Sequence, residues 1–314
     1  MPERRSERRH TYDLRDAKLG ILPSENIENG RSSTIPVMQE RKQWFQQFLQ
    51  QLEEHPDDKV ILRLVLMYGR IHQRGAVLRL EWPLLADSLV DLLRARLEKN
   101  PTCSLVLSGG KTPETLYLML GSHRYQSVLD WGRVHLFWGD ERYVPHDDPR
   151  SNYYVAYEAW LHKSDIPREN IHPMPTHYPD PEDAARAYEA ELRAYFGADA
   201  PFPAFDLVLL GMGDDGHIAS LFPGDPALEE ASRWVVPSRA PTEPRQRLTL
   251  TLPVLNATPH IWFLVSGESK RAAIEQLFSA AASNLPAAQI APEVERLWWL
   301  SEELYAVAAP YTKT

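Results

Sequence analysis

The sequence predicts a three-layer, Rossmann-like α/β fold, in which helices flank a mixed, mostly parallel sheet. It also predicts an N-terminal helical extension. From Val77 onward, short apolar runs alternate with amphipathic segments of helical periodicity, which is the pattern of helices covering a parallel sheet. Glycine-rich turns follow several of these runs. The chain has 314 residues, of which 43% are hydrophobic and 25% charged, so it can bury a sizeable core.

The N-terminal part of the chain differs from the remainder. Residues 1–36 are polar and lack sustained periodicity, so we expect a disordered tail. Residues 37–75 are expected to form a helical extension, because apolar residues recur there at helical spacing. The apolar run 60–68 fits a second helical stretch that ends at Gly75, with a strand as the alternative. Residues 76–314 are expected to form the α/β domain.

Apolar runs and helix signals place the elements of this domain. Two segments with one apolar face predict helices, one starting at Pro83 and one spanning 181–196. A third helix is expected to start with Thr112 as N-cap and Pro113 as its first residue. The apolar runs that predict strands after the first helix are 104–107, 134–138, 205–210, 234–237, 248–252, 261–265 and 296–300.

Composition and charge exclude several classes of protein. The 34 basic and 43 acidic residues give a formal net charge of -9, so no nucleic-acid partner is expected. No apolar run approaches the roughly 18 to 20 residues of a membrane helix, and the first ten residues lack the apolar region of a secretory signal. The one cysteine, Cys103, has no disulfide partner within the chain, which favours a cytoplasmic location.

The first candidate site segment runs from the strand at 104–107 into a glycine turn and a helix. Gly109 and Gly110 leave room for an oxyanion to approach the backbone, while Ser108 and Thr112 offer hydroxyl donors. Free amide groups at the start of the following helix favour an anion as well. The segment therefore indicates either a phosphate-binding turn or a tight strand-to-helix turn without a ligand.

The second segment follows the strand at 134–138. Asp140, Glu141 and Arg142 come after that strand, at the carboxyl edge where open α/β sheets bind their ligands. The guanidinium group of Arg142 can form paired hydrogen bonds with a phosphate or carboxylate. The alternative is that these three charges pair with one another at the surface.

The third segment follows the strand at 205–210 and contains a turn that presents Asp215 and His217. A histidine held by a carboxylate can act as a general base near neutral pH. Here Asp214 and Asp215 are both candidates for that carboxylate. The pattern of Gly211, Gly213 and Gly216 also fits a dinucleotide-binding turn, but two aspartates would then repel the pyrophosphate.

Together these segments resemble the 6-phosphogluconolactonase family. The resemblance covers the chain from Val77 onward and continues through Gly267 and Lys270 in the order of the family. The matching motifs are SGGKTP at 108–113, GDERYVP at 139–145, DPRSN at 148–152, GMGDDGH at 211–217 and RLTLTLP at 247–253.

The resemblance implies an enzyme that hydrolyses 6-phospho-D-glucono-1,5-lactone to 6-phospho-D-gluconate in the oxidative branch of the pentose phosphate pathway. It implies no metal ion and no cofactor, and a fold shared with glucosamine-6-phosphate deaminase. His217, oriented by Asp215, takes a proton from the attacking water, and Arg142 lies beside the lactone or its phosphate. The residues that the resemblance assigns to the substrate phosphate are Ser108, Gly109, Gly110, Thr112, Arg247 and Lys270.

Two positions depart from the family pattern, and two rival functions remain. Lys111 occupies a variable position where its charge favours a phosphate, and Ser301 stands where the family often has aspartate.

A glucosamine-6-phosphate deaminase or isomerase usually carries tyrosine at the position of Arg142. A catalytically silent sugar-phosphate-binding protein is the other rival. The expected partner is the small sugar phosphate lactone, and the expected state is a monomer or homodimer.

Overall fold

The computed structural model describes residues 64–65, 67–279, 284–292 and 294–312. By its contacts the chain divides into units 1–48 and 49–314, and every described residue belongs to the second. The expected tail at 1–36 and the expected helix over the first part of 37–75 lie outside the described residues. The division into tail, extension and α/β domain therefore stays a prediction.

The described residues form two sheets and a set of helices. The helices are α1 (Trp82–Leu97), α2 (Lys111–Leu120), α3 (His123–Gln126), α4 (Asn152–Ala159), α5 (Pro181–Phe196), α6 (Leu252–Ala257), α7 (Arg271–Phe278) and α8 (Glu302–Ala308). The strands are β1 (Arg70–His72), β2 (Gly75–Arg79), β3 (Cys103–Leu107), β4 (Val134–Trp138), β5 (Asp140–Arg142), β6 (Ile171–His172), β7 (Leu207–Leu210), β8 (Val235–Arg239), β9 (Gln246–Leu250), β10 (His260–Val265) and β11 (Glu295–Leu300).

The larger sheet has eight strands in the order β1-β2-β11-β10-β7-β3-β4-β6. All its neighbours pair in parallel except β1, which is antiparallel to β2. The predicted fold class, a mixed and mostly parallel sheet flanked by helices, is confirmed. Because the chain moves from β3 outward to β4 and later returns to β7 on the other side, a crevice opens at the carboxyl ends of β3 and β7.

Both faces of the central strands are buried. Every residue of β3, β7 and β10 is buried, as expected for parallel strands covered by helices on both sides. The strand predicted at 296–300 is confirmed as β11, and its Trp298 and Trp299 are fully buried. Trp298 stacks on Phe263 of β10 with ring centroids 3.7 Å apart and meets Phe278 of α7 edge-on.

The expected helical stretch up to Gly75 is wrong at its C-terminal end. Residues 64, 65, 67 and 68 are helical, but β1 and β2 then form a hairpin. Gly75 makes this turn possible with a φ of +107°, and a Cβ there would lie 2.1 Å from the carbonyl oxygen of Arg296. Antiparallel pairing of β1 with β2, which itself pairs with β11, therefore overrides the helical periodicity of this segment.

The predicted strand at 248–252 is also displaced. It ends at Leu250, and α6 begins at Leu252, where Pro253 fits the first turn of a helix. The strand pairs antiparallel with β5 and β8 in a second, three-stranded sheet. β5 itself is an unpredicted strand, because Asp140–Arg142 is a polar segment whose strand conformation depends on this pairing.

None of the helices in the described ranges has the length and apolar character that a membrane crossing requires.

A buried carboxyl group lies at the opposite end of the sheet from the crevice. Glu295, at the start of β11, is 4% exposed and accepts a hydrogen bond of 2.8 Å from the indole nitrogen of Trp262. The buried imidazole of His260 lies 3.8 Å away and contacts Arg96. Burial raises the pKa of Glu295 to about 8, although Trp262 and Arg96 act in the opposite direction.

We predict that Glu295→Gln makes stability less dependent on pH. Since the folded-state pKa lies above the ordinary value of 4.5, the unfolded chain loses this proton first, and wild-type stability falls as the pH rises from about 4.5 towards about 8. The slope from this group is at most about 1.4 kcal/mol per pH unit. Urea unfolding at several pH values measures it. The exposed Glu302→Gln variant is the control, and equal slopes in Glu295→Gln and wild type would contradict the prediction.

Candidate active site

A cavity of about 600 Å³ lies at the crevice between the carboxyl ends of β3, β7 and β10. This size is typical of small-molecule sites. Asp215 contacts a lining residue, His217, without lining the cavity itself. The other predicted site residues all line it, namely Ser108, Gly109, Gly110, Thr112, Arg142, His217, Arg247 and Lys270.

The turn between β3 and α2 presents backbone groups to this cavity. Helix α2 begins at Lys111 with Gly110 as its N-cap, so the prediction of Thr112 as N-cap and Pro113 as first residue is wrong. Gly110 adopts a φ of +104°, which glycine tolerates, and the helix therefore begins before Thr112 and has no capping side chain. The hydroxyl of Thr112 instead bonds that of Ser266, 2.7 Å away at the end of β10.

The backbone of Ser108 is held from behind by Tyr117 of α2. The buried Tyr117 hydroxyl accepts from the Ser108 N–H at 2.9 Å and donates to the Ser108 carbonyl at 2.7 Å. The Ser108 hydroxyl accepts a bond of 3.1 Å from the N–H of Gly211, which follows β7. These bonds join the turns after β3 and β7, so the two walls of the cavity have a defined spacing.

Gly109 allows a close approach between this turn and the start of α4. An added Cβ at Gly109 would lie 1.8 Å from Oδ1 of the buried Asn152. The amide nitrogen of Asn152 donates to the Asp140 carbonyl at 2.8 Å and to Oδ1 of Asp140 at 3.2 Å. A side chain at position 109 would therefore displace Asn152 from Asp140.

Asp140 and Glu141 are buried hydrogen-bond acceptors, which contradicts the alternative of charges pairing at the surface. The Ser220 hydroxyl donates to Oδ2 of Asp140 at 2.6 Å. Glu141, 0% exposed, accepts from the N–H groups of Asn152 at 2.7 Å and Tyr153 at 2.8 Å. The Ser151 hydroxyl and the N–H of Arg142 donate to Glu141 as well.

The environment of Glu141 perturbs its titration. Burial raises the pKa of this carboxyl group to about 7, while the backbone N–H donors lower it. The group occupies the N-terminus of α4, where the first amides of the helix would otherwise lack partners. Glu141 therefore attaches α4 to β5.

Two arginine side chains from neighbouring strands face the cavity. Arg142 of β5 and Arg247 of β9 are directly paired in register. Arg142 donates to the Arg150 carbonyl at 2.7 Å, and Arg247 donates through Nε to the Pro244 carbonyl at 2.8 Å. Burial lowers the pKa of Arg247, which is 8% exposed. Two adjacent guanidinium groups repel each other until an anion binds, so this wall favours a phosphate or carboxylate.

His217 and Asp215 form the pair that the sequence predicts. Nδ1 of His217 lies 2.6 Å from Oδ1 of Asp215, which also accepts the His217 N–H at 3.1 Å. An added Cβ at Gly213 would lie 2.0 Å from the imidazole, so only glycine fits beside the ring. Asp214, the other candidate, instead contacts Ser269 and Lys270.

The dinucleotide interpretation of this turn lacks its helix. After Gly216 the chain forms a bridge between Ile218 and Leu221 rather than opening a helix. A pyrophosphate at this turn would therefore meet the carboxylate of Asp214 without any helix N-terminus.

Several residues of the site escaped the sequence analysis. Asn152, Ser220 and Ser266 line the cavity, although the sequence assigned no role to them. Asn152 stands in the DPRSN motif at 148–152, and the two serines have no distinctive spacing. Ser266 could have been found from its position directly after the strand β10. Within the described ranges, no group of three or more His, Cys, Asp or Glu side chains is arranged to hold a metal ion.

Comparisons with known proteins give consistent results. The model of the family described as glucosamine-6-phosphate isomerases/6-phosphogluconolactonase matches residues 83–299. A 6-phosphogluconolactonase of Synechocystis sp. is 46% identical over 203 residues, covering 64% of this chain and 82% of that protein. One of Mycobacterium leprae is 41% identical over 224 residues, covering 69% and 90%. The crystal structure of a 6-phosphogluconolactonase from Thermotoga maritima is 29% identical with a TM-score of 0.63, covering 72% and 98%.

We predict that Gly109→Ala disrupts the contact between the turn and α4. Because the added methyl group would overlap Asn152, we expect a loss of about 1–3 kcal/mol in the free energy of unfolding. Gly139→Ala is the matched control, since its Cβ would meet its nearest neighbour at 3.4 Å. Chemical denaturation measures both variants. If Gly109→Ala costs less in the Asn152→Ala background than in the wild type, the overlap is its cause; an equal cost in both backgrounds, or a loss equal to that of Gly139→Ala, would refute it.

Proposed function

Since the chain belongs to the family of glucosamine-6-phosphate isomerases and 6-phosphogluconolactonases, we propose that it hydrolyses 6-phospho-D-glucono-1,5-lactone to 6-phospho-D-gluconate through water activated by His217. It is an enzyme that hydrolyses a lactone, as its relatives' names indicate. The observation that carries the mechanism is the 2.6 Å contact between His217 and Asp215, on a cavity that also presents two arginines.

The glycine turn and the cations of the cavity hold the substrate phosphate in this proposal. Ser108 and Thr112 supply hydroxyl groups, and Gly109 and Gly110 expose the backbone before α2. Arg247 and Lys270 add positive charge from later elements of the fold. A phosphate dianion is well matched to this combination of amide, hydroxyl and guanidinium donors.

His217 acts as the general base. Asp215 accepts a hydrogen bond from Nδ1–H of the neutral ring, which leaves Nε2 without a proton and able to accept one. Nε2 takes a proton from water while the water oxygen forms a bond to the lactone carbonyl carbon. The carbonyl electrons move to its oxygen and form a tetrahedral oxyanion. Asp215 stabilises the imidazolium that results.

Collapse of the tetrahedral intermediate completes the reaction. The carbonyl reforms, the bond from carbon to ring oxygen breaks, and the imidazolium returns its proton to that oxygen. The carboxylic acid product then releases one proton to solvent. Arg142 lies beside the lactone or its phosphate in this arrangement. If it lies beside the lactone, its positive charge stabilises the oxyanion.

The remaining parts of the proposal concern setting and partners. We propose that the reaction needs neither a metal ion nor a cofactor, and that it belongs to the oxidative branch of the pentose phosphate pathway. A cytoplasmic location is supported by the single, buried and free Cys103. The proposed partner is the sugar phosphate lactone alone, with the protein acting as a monomer or homodimer.

We predict that His217→Ala lowers the rate of lactone hydrolysis by about 10²- to 10⁴-fold, because a general base is lost. The assay follows the disappearance of lactone, generated in situ, above its spontaneous hydrolysis and in the presence of a chelator. His177→Ala is the matched control, since His177 is an exposed histidine that does not line the cavity.

The outcomes of this assay separate the rival functions. Wild-type activity that persists with chelator and disappears in His217→Ala supports the proposal. Loss of activity with chelator would refute metal independence alone. A folded wild type without activity above background would refute lactone hydrolysis, and deamination of glucosamine 6-phosphate would then be assayed against silent binding.

A further inference from the structure

The two consecutive aspartates of the turn after β7 face different partners. Asp215 bonds the imidazole of His217, as described above. Asp214 accepts a hydrogen bond of 3.0 Å from the Ser269 hydroxyl and forms an ion pair with the ammonium group of Lys270. A single turn thus contacts both the proposed base and a proposed phosphate cation.

The turn between these contacts has a defined shape. The N–H of Gly213 donates to the His217 carbonyl at 2.8 Å, and the N–H of Gly216 donates to the Gly213 carbonyl at 3.0 Å. Gly216 has a φ of +76°, and an added Cβ would lie 2.8 Å from the Leu285 side chain. The positions of the two carboxylates relative to each other therefore follow from the backbone of the turn.

Lys270 lines the cavity and is the last residue of the 3₁₀ turn Glu268–Lys270, whose N-cap is Gly267. A lysine side chain has many rotamers, and holding it in one of them costs entropy. The ammonium group carries three N–H donors. Because Asp214 takes one of them, two remain for a phosphate in the cavity.

Asp214 is ionised under ordinary conditions. Its hydrogen bonds from Lys270 and Ser269, and the positive charge of Lys270, lower the pKa of the carboxyl group. Its side chain is 62% exposed, and exposed ion pairs contribute little to stability. The ion pair between Asp214 and Lys270 is therefore better explained as a means of positioning Lys270 than as a means of stabilising the fold.

We propose that Asp214 is a positioning residue, which holds the Lys270 ammonium group towards the substrate phosphate at a set distance from His217. The inference rests on the proposed function, because it concerns the phosphate of the same substrate. Asp214 touches neither the reacting carbon nor the attacking water. Its loss changes how tightly the phosphate binds and leaves the chemical step intact.

The test compares Asp214→Ala, Asp214→Asn, Lys270→Ala and the double variant Asp214→Ala/Lys270→Ala. We expect Asp214→Ala to raise both KM and the inhibition constant of inorganic phosphate by about two- to fivefold, the range of exposed ion-pair coupling, with kcat nearly unchanged. Lys270→Ala is expected to raise both constants about tenfold or more. Asp214→Asn keeps an oxygen acceptor and is expected to fall between wild type and Asp214→Ala.

The double variant gives the decisive comparison. If Asp214 acts through Lys270, adding Asp214→Ala to Lys270→Ala changes neither constant further. Glu268→Ala is the matched control, because Glu268 is an exposed acid of the same loop that pairs with Arg271 and does not line the cavity. Unchanged constants in Asp214→Ala would overturn the proposal, and so would tighter binding, which would mean that Asp214 competes with the phosphate.

Calorimetric titration with inorganic phosphate separates this inference from the proposed function. A wild type that binds phosphate but hydrolyses no lactone refutes the lactonase proposal. In that case the phosphate affinities of the single and double variants still test the positioning role. An effect of Asp214→Ala that disappears in the Lys270→Ala background supports it, and additive effects overturn it. An active wild type with additive effects in the double variant overturns the positioning role alone.

Discussion

The adjacent buried carboxylates of Asp140 and Glu141 hold together the loops on which the cavity depends. Glu141 accepts hydrogen bonds from the first N–H groups of α4, and Asp140 accepts hydrogen bonds from the side chains of Asn152 and Ser220. Buried carboxylates are tolerated because hydrogen-bond donors replace the water they lose. A carboxylate without these donors would be costly, so β5, α4 and the segment after β7 are confined to one relative arrangement.

The sheet supplies the second constraint. Since β3, β7 and β10 are parallel neighbours in the order β10-β7-β3, their carboxyl ends bring three separate loops to one crevice. The Tyr117 hydroxyl bonds both backbone groups of Ser108, and Ser108 bonds Gly211. The proposed phosphate turn and the proposed base are thus attached to buried strands, which suits a site that must hold reacting groups in place.

Charge is distributed unevenly around the cavity. Arg142 and Arg247 are paired in register on neighbouring strands, while Lys270 forms an ion pair with Asp214. The arginines donate to backbone carbonyls and keep their positive charge for an anion. The negative charges of Asp140 and Glu141 favour the charged form of Arg247 and so oppose the repulsion from Arg142. In the proposed function, the positive charge that Arg247 offers to the substrate phosphate therefore depends on the buried acids next to it.

The fold class, the glycine turn after β3, and the pairing of His217 with a neighbouring aspartate could all be predicted from the order of the amino acids. These features depend on local periodicity, on φ values that favour glycine, and on residues close together in the chain. Three features follow from the folded chain instead: Asp215 bonds His217 while Asp214 contacts Lys270, Asn152 packs on Gly109, and residues 70–72 join the sheet. The contacts of Asp214 with Lys270 and of Gly109 with Asn152 join segments far apart in the chain, and residues 70–72 join the sheet only because β2 pairs with the distant β11, so no local pattern records them.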